Sequence, residues 1–256
     1  MKNPLKAKLK TGEPAVGIWV GISHPDITEI IAMQGFDWFV CDTEHSPYDI
    51  ETSQKMLQAA SYNPVCIPLI RVARNTDWMI KKALDTGAYG IIIPWVSTRE
   101  EAEYAVQASL YPPEGIRGCG PRRAALHDSD YIKTANDEIL IGVQIETQQA
   151  LDNLDDILSV DRIDLCFIGP NDLSLSLGIH QQFDHPKFTE ALDRVLTSCK
   201  QHNVAPGIYC TTKTINGALE RGFQFCALWS DQFLFIKGMK DAISDVKGWT
   251  PTPYKT

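Results

Sequence analysis

Two carboxylates and an imidazole follow one another in Asp42-Thr43-Glu44-His45, where the apolar run 36–41 ends abruptly. Other apolar runs end the same way. Trp19 sits near the end of 16–20, Arg71 follows 66–70, Gln144 and Glu146 close 140–145, and Asn171 and Asp172 follow 164–168 within Gly169-Pro170-Asn171-Asp172. Glu146 and Asp172 are oxygen donors without a Cys or His neighbour of the kind a zinc cage needs, so they suit a hard cation such as Mg²⁺ or Mn²⁺ that keeps open positions for water or substrate. Arg71 offers a planar fork to an oxyanion or carboxylate, and beside a metal such a fork is complementary to an enolate. His45 is of a type that can move a proton near neutral pH, with Asp42 and Glu44 as supporting carboxylates. Schiff-base chemistry would want a lysine at an apolar strand end. Lys213 instead lies in a Thr-rich loop beyond Cys210, where a solvated ammonium is expected.

Such side chains converge only if their strands are parallel neighbours. Runs covered on both faces occur at 16–20, 36–41, 66–70, 90–94, 140–145, 164–168, 205–209 and 225–228, the pattern of a parallel sheet flanked by helices rather than of a half-wet one. Helical periods fall between them, at 25–33, 49–61, 76–86, 99–111, 148–159, 186–202, 214–221 and 232–246. Three helix stops share one grammar: Gly35, Gly87 and Gly222 each precede an apolar strand, as expected where a left-handed residue closes a helix. Thr98 with Glu101 predicts a capping box. Eight strands each followed by a helix, in 256 residues, most economically close into a (β/α)₈ barrel, with a doubly wound open sheet as the alternative. In either fold ligands bind beyond the carboxyl ends of the strands. The reading is one barrel domain over residues 1–256, with 1–14 as an N-terminal capping segment and 249–256 as a tail.

Composition narrows the function. A formal net charge of −8 speaks against nucleic acid or an anionic membrane as partner. No apolar run reaches the ~18 residues of a membrane span. The lysines near the start have no hydrophobic region behind them, so no secretory signal is expected. Seven cysteines without a C-x-x-C pair, with Cys41, Cys66 and Cys166 in apolar runs, read as reduced thiols of a cytoplasmic protein. His24, His127, His180, His185 and His202 fall in turns or helix ends without ligand spacing and read as surface residues, His127 being the one that a long loop could carry to the site. That loop, 112–138, is rich in Gly and Arg, and a connection of its length is usually functional or mobile. In the tail, Trp249 and Tyr254 would be wasted in water and point to a packing partner such as another subunit.

Taken together, Gly17-Ile18-Trp19, Gly35-Phe36-Asp37, Asp42-Thr43-Glu44-His45, Arg71, Ile93-Pro94, Gln144-Ile145-Glu146 and Gly169-Pro170-Asn171-Asp172-Leu173-Ser174 resemble the HpcH/HpaI family of metal-dependent class II pyruvate aldolases. The motifs run in order from about residue 5 to 238. The resemblance implies a (β/α)₈ barrel and a hexamer, a trimer of dimers, whose last helix is exchanged between partners. It implies retro-aldol cleavage of 4-hydroxy-2-oxo acids to pyruvate, or a close 2-oxo analogue, and an aldehyde, with Mg²⁺, Mn²⁺ or Co²⁺ as cofactor. By the same resemblance Glu146 and Asp172 bind the metal, and Gln144, Asn171 and Asp172 bind substrate. Arg71 stabilises the enolate, His45 transfers the proton, and Asp85 pairs with the histidine. Trp19, ending the first strand, is expected to wall the acceptor side of the site. Asn171 departs from the Ala that many members carry, and residues 117–123 match the family's Gly-Arg loop only loosely.

Asp85 is odd on physical grounds, because a carboxylate in the last turn of a helix opposes the macrodipole at a cost of ~0.3 to 1 kcal/mol and calls for a compensating partner. That helix end also faces the bottom of its own barrel, so a dyad with His45 implies either that it crosses a subunit boundary or that the helix runs beyond residue 86. Two other readings stand beside the aldolase. A metal-dependent acyl-CoA ester lyase would want a basic groove, which only the arginines of residues 117–123 could supply. A non-catalytic small-acid-binding barrel would keep the pocket alone.

Overall fold

The structure, a computed structural model, describes residues 2–249. In chain order its elements are α1 (Pro4–Lys10), β1 (Ala15–Val20), α2 (Pro25–Ala32), β2 (Trp38–Asp42), α3 (Ile50–Ala60), β3 (Ile67–Arg71), α4 (Asp77–Asp85), β4 (Gly90–Ile93), α5 (Arg99–Ser109), α6 (Arg122–Leu126), α7 (Tyr131–Glu138) and β5 (Leu140–Ile145). There follow α8 (Gln148–Asp152), α9 (Leu154–Leu158), β6 (Leu165–Ile168), α10 (Pro170–Ser176), α11 (Pro186–His202), β7 (Ala205–Cys210), α12 (Ile215–Arg221), β8 (Phe225–Ser230) and α13 (Asp231–Ser244). The strands close into a parallel barrel in sequence order, β8 pairing back onto β1, so the closed (β/α)₈ form prevails over the open sheet.

Inside the barrel, strand residues of alternate parity stack in layers. Trp38 and Phe225 lie face to face with centroids 3.7 Å apart. So large a pair at one level requires an empty position beside it, and β1 provides Gly17, where a Cβ would come within 2.1 Å of the Trp38 ring. Below this layer α1 plugs the N-terminal end: Asn3 caps the helix by accepting from the Lys6 N–H, Pro4 starts it, and Leu5 and Leu9, one turn apart, join the interior cluster. The buried Lys6 ammonium is held by the Ile139 carbonyl at 2.8 Å and by Asp164 at 2.9 Å. Above it Trp19 stacks on Phe167 with centroids 4.8 Å apart, and the next layer up is polar. That change from aromatic to polar sets the floor of the site.

Outside the barrel the helices bury one stripe each. On α11, Phe188, Ala191, Leu192, Val195 and Cys199 recur at helical spacing toward the sheet. Gly35, Gly87 and Gly222 take φ of 88°, 91° and 103°, the left-handed closures their positions predict, and Thr98 with Glu101 forms the capping box.

Four features differ from the reading of the sequence. Residues 4–10 are a helix, not merely a leading segment. The connection 112–138 carries α6 and α7 rather than running as one long loop, because Tyr131 and Ala135 give it an apolar face to bury. The helix read at 148–159 breaks at Asn153, which ends α8 and precedes α9 while its side-chain amide donates to the Ser97 carbonyl at 2.8 Å. Finally, Asp172 belongs to the first turn of an additional helix, α10, opened by Pro170 at its first position. Among the described residues six cysteines are buried free thiols and Cys119 is exposed. Trp249 is about half exposed, while Tyr254 lies outside the described residues.

Candidate active site

Asp42, the last residue of β2, turns the chain and holds a cation at once. Its Oδ1 accepts from the backbone N–H of Glu44 at 3.1 Å and of His45 at 3.3 Å, an Asx-type turn that redirects the chain across the barrel mouth. The turn is pinned from behind by Tyr48, whose hydroxyl donates to the Val20 carbonyl and accepts from the Asp42 N–H, both at 2.6 Å. The same carboxylate takes Arg71 in a fork, Nε at 2.8 Å from Oδ1 and Nη2 at 2.6 Å from Oδ2. Arg71 ends β3 in register with Asp42, so barrel pairing alone brings them side by side.

The remaining Arg71 nitrogen faces two further groups: Nη1 lies 2.9 Å from Glu44 Oε2 and 3.4 Å from Gln144 Oε1. Glu44 Oε2 makes an ion pair there without hydrogen-bond alignment. Three of the five guanidinium N–H groups are thus hydrogen-bonded, and one on Nη1, beside Glu44, and one on Nη2 are left over. Below, the guanidinium rides over the Trp19 ring at 5.3 Å. Burial works against the Arg71 charge, but Asp42, Glu44 and Glu146 outweigh it and hold the guanidinium above its ordinary range.

Gln144 relays the contact to the next strand end, its Nε2 donating to Glu146 Oε1 at 2.6 Å. The other Glu146 oxygen accepts from the Trp95 backbone N–H at 3.3 Å. Even so, burial, followed by the negative charges of Asp172 and Glu44, pushes the Glu146 carboxyl up to about 8. Glu44 is likewise raised, first by burial, with Asp42 and Asp172 adding to it. A site with more carboxylate than it can neutralise is one that a cation would relieve.

Gly169 shows where. A Cβ at that position would lie 2.5 Å from Glu146 Oε1 and 3.5 Å from Asp172 Oδ2, so oxygens of two carboxylates from successive strand ends border one small space that only glycine leaves open. Among the described residues no three His, Cys, Asp or Glu side chains form a ready-made metal cage. Two carboxylates with the other positions left to water and substrate fit an octahedral oxygen-preferring ion, and the donor set agrees with that chemistry.

Trp19, His45, Arg71, Gln144, Glu146, Asn171 and Asp172 all line one cavity of about 740 Å³ at the C-terminal mouth, with Asp42 and Glu44 packed behind Arg71. His45 is the loosest of them, its side chain 64% exposed and its Nε2 3.9 Å from Glu44 Oε2. Lys213 reaches the outer rim of the same cavity from an exposed turn.

Asp85 is elsewhere. It ends α4, and its Oδ1 accepts from Arg117 Nη2 at 2.8 Å. Arg117 is fully buried, its guanidinium 4.4 Å above the Tyr111 ring and its Nη1 and Nη2 each 3.2 Å from the Tyr131 hydroxyl. This is the partner that a carboxylate against the helix dipole needs. Within one chain the structure does not bring Asp85 to His45. Of the loop's other arginines, Arg123 donates to the Thr86 carbonyl at 2.6 Å and Arg122 is exposed. His127 lines a different hollow with Lys2 and Arg123, away from the site. Sequence reasoning missed Gly169 as a spacer and Tyr48 as the pin of the turn. The glycine just ahead of Pro170-Asn171-Asp172 was the available signal for the first, and nothing local marks the second.

A closed parallel barrel whose strand ends gather an arginine, a histidine and carboxylates around one mouth defines a TIM-barrel enzyme. Residues 15–238 match the HpcH/HpaI aldolase/citrate lyase family, and the chain belongs to that family of carbon–carbon lyases. It is 39% identical over 243 residues to a 4-hydroxy-2-oxo-heptane-1,7-dioate aldolase of Salmonella dublin, covering 93% of this chain and 92% of the relative. An HpcH/HpaI aldolase/citrate lyase family protein from Burkholderia cenocepacia J2315 superposes with a TM-score of 0.92 at 31% identity, covering 96% of this chain and 100% of the other. The HpcH/HpaI aldolase of Desulfitobacterium hafniense DCB-2 gives 0.86 at 33%, with 96% and 99% covered.

Proposed function

We propose that this chain is a class II pyruvate aldolase that cleaves 4-hydroxy-2-oxo acids reversibly to pyruvate, or a close 2-oxo analogue, and an aldehyde. The observation that carries the reading is the unbroken relay from Asp42 through Arg71 and Gln144 to Glu146, ending at the two-carboxylate space beside Gly169. Glu146 and Asp172 would hold a divalent ion, Mg²⁺, Mn²⁺ or Co²⁺, which when bound supplies Lewis-acid polarisation of the 2-oxo acid. The other tasks fall to side chains. Gln144, Asn171 and Asp172 orient the 2-oxo acid. Arg71, fixed by Asp42 and Glu44, offers an unspent N–H to the enolate oxygen and offsets the negative charge that develops there. His45, exposed at the rim, takes the proton of the 4-hydroxyl as the carbon–carbon bond breaks. Trp19 walls the site beneath the arginine.

The same reading extends to assembly in the cytoplasm as a hexamer, a trimer of dimers, with the last helix exchanged. Its support is α13, on which Phe235, Ile236, Met239 and Ile243 are exposed while Asp231 at its start is tied to the Gly21 and Ile22 N–H groups. So apolar a helix outside its own barrel calls for a cover. In such an assembly Asp85 would meet His45 of a neighbouring copy.

Pyruvate release from a 4-hydroxy-2-oxo acid, followed by coupled reduction, tests the chemistry. Turnover is expected to vanish with EDTA and to return with Mg²⁺, Mn²⁺ or Co²⁺. Full turnover by metal-stripped protein would sink the reading and redirect attention to a lysine. No turnover under any metal would leave a small-acid-binding barrel.

A further inference from the structure

The cavity is far larger than the reaction centre needs. A 2-oxo acid of six heavy atoms takes the room of roughly five waters, on the order of 150 Å³, against about 740 Å³ present. The surplus is one continuous space running outward from Arg71 and Glu146, and its walls change character. Part of its lining is the buried Phe188, Leu192 and Phe223, from the packed layer between barrel and helices, and its more exposed rim carries Phe183, Trp229 and Phe233.

The rim is built rather than incidental. Trp229, near the end of β8, has φ of 58°, a left-handed backbone that a bulky residue adopts only where its surroundings over-determine it. The residue lines the cavity, its indole half-buried and 6.4 Å from the Phe233 ring on the first turn of α13. Phe183 packs on Phe188 at 5.5 Å. Charge along the outer space is nearly cancelled. Arg221 is bound to Asp193 at 2.7 Å, and the exposed Lys213 shares the cavity lining with a carboxylate of opposite sign, Asp184. Among the described residues, none of the cations on this outer space is buried, so no desolvated seat for a second carboxylate is prepared there.

We propose that this outer space is the acceptor subsite and that it selects aldehydes carrying an extended, uncharged apolar chain over those ending in a carboxylate. The inference rests on the aldolase reading, since only there does a second substrate stand beside the 2-oxo acid. Trp229 and Phe233 are its specificity-determining residues. Removing an aromatic wall forfeits apolar contact with the chain, and the discrimination at stake is on the order of tenfold or more.

The test is condensation of pyruvate with hexanal and with succinic semialdehyde by the metal-loaded protein, alongside exchange of pyruvate methyl protons in D₂O. The expected result is a kcat/KM for hexanal at least about tenfold above that for succinic semialdehyde. Trp229→Ala and, separately, Phe233→Ala on the exposed helix should shrink that ratio several-fold, and Trp229→Phe should restore most of it. Methyl exchange together with a preference for succinic semialdehyde, lost in Lys213→Ala, overturns the subsite and leaves the aldolase reading standing. A hexanal preference that both alanine variants retain also overturns the assignment of these residues. Neither exchange nor condensation overturns the aldolase reading and the subsite together.

Discussion

Arg71 and Asp42 meet as a two-point fork, Nε to Oδ1 at 2.8 Å and Nη2 to Oδ2 at 2.6 Å, with both side chains nearly excluded from solvent. Breaking such a pair from one side leaves a buried charge uncompensated, which typically costs about 3–5 kcal/mol. Asp42→Ala also removes the acceptor that shapes the Glu44-His45 turn. The variant is expected to lose about 3 kcal/mol of stability, read as a lower midpoint in urea with an unchanged m value. Stability equal to the parent chain would show that Glu44 alone can hold the arginine.

Arg71 and His45 divide the proposed reaction, and two assays separate them. Arg71→Lys keeps the charge but loses the fork that seats it between Asp42, Glu44 and Gln144, so it should impair both aldol cleavage and exchange of pyruvate methyl protons with D₂O. His45→Ala should depress cleavage by the ~10²- to 10⁴-fold of a lost general base while leaving exchange less affected, because free pyruvate has no 4-hydroxyl. Equal losses in both assays for His45→Ala would mean that one base does both jobs.

Gly169→Ala is a small change with a specific target. Its new methyl would sit 2.5 Å from Glu146 Oε1, in the space shared with Asp172, while the backbone there is ordinary extended chain that alanine accepts. The expected outcome is a folded protein, unchanged in circular dichroism, that binds Mn²⁺ at least about tenfold more weakly by calorimetry, the usual scale for a disturbed metal shell. Unaltered Mn²⁺ affinity would place the ion elsewhere.

Proton and metal compete for Glu146. With its carboxyl pushed up to about 8 by burial and by Asp172, the group holds a proton through neutral pH in the metal-free chain, and that proton must leave before a cation can bind. Affinity for Mg²⁺ should therefore weaken as pH falls below about 8, by up to roughly tenfold per unit, and level off above it. Titration calorimetry between pH 6.5 and 9 reads this directly, with Glu146→Gln as the weak, pH-flat reference. A wild-type affinity constant across that range would contradict the competition.

Much of this arrangement was legible in the chain because a parallel barrel writes its active face into linear order: each apolar run ends in the side chain it delivers to the mouth. Trp19, Asp42, Arg71, Gln144 and Glu146 could be picked out that way, and so could the helix closures at Gly35, Gly87 and Gly222, since those are local conformational demands. Short helices were less visible, as α6, α7 and α10 owe their existence to packing rather than to a long periodic pattern.

What only the tertiary structure decided are the pairings between residues far apart in sequence. Asp85 called for a cation on electrostatic grounds, but that it would be Arg117, 32 residues on and clasped by Tyr111 and Tyr131, depends on how residues 112–121 fold back over α4. The fork of Asp42 and Arg71, and the open space that Gly169 leaves between Glu146 and Asp172, arise from strand register and barrel closure. Periodicity reports which face of an element is buried; it carries no information about which distant element will cover that face, and chemistry at the mouth is made of those second choices.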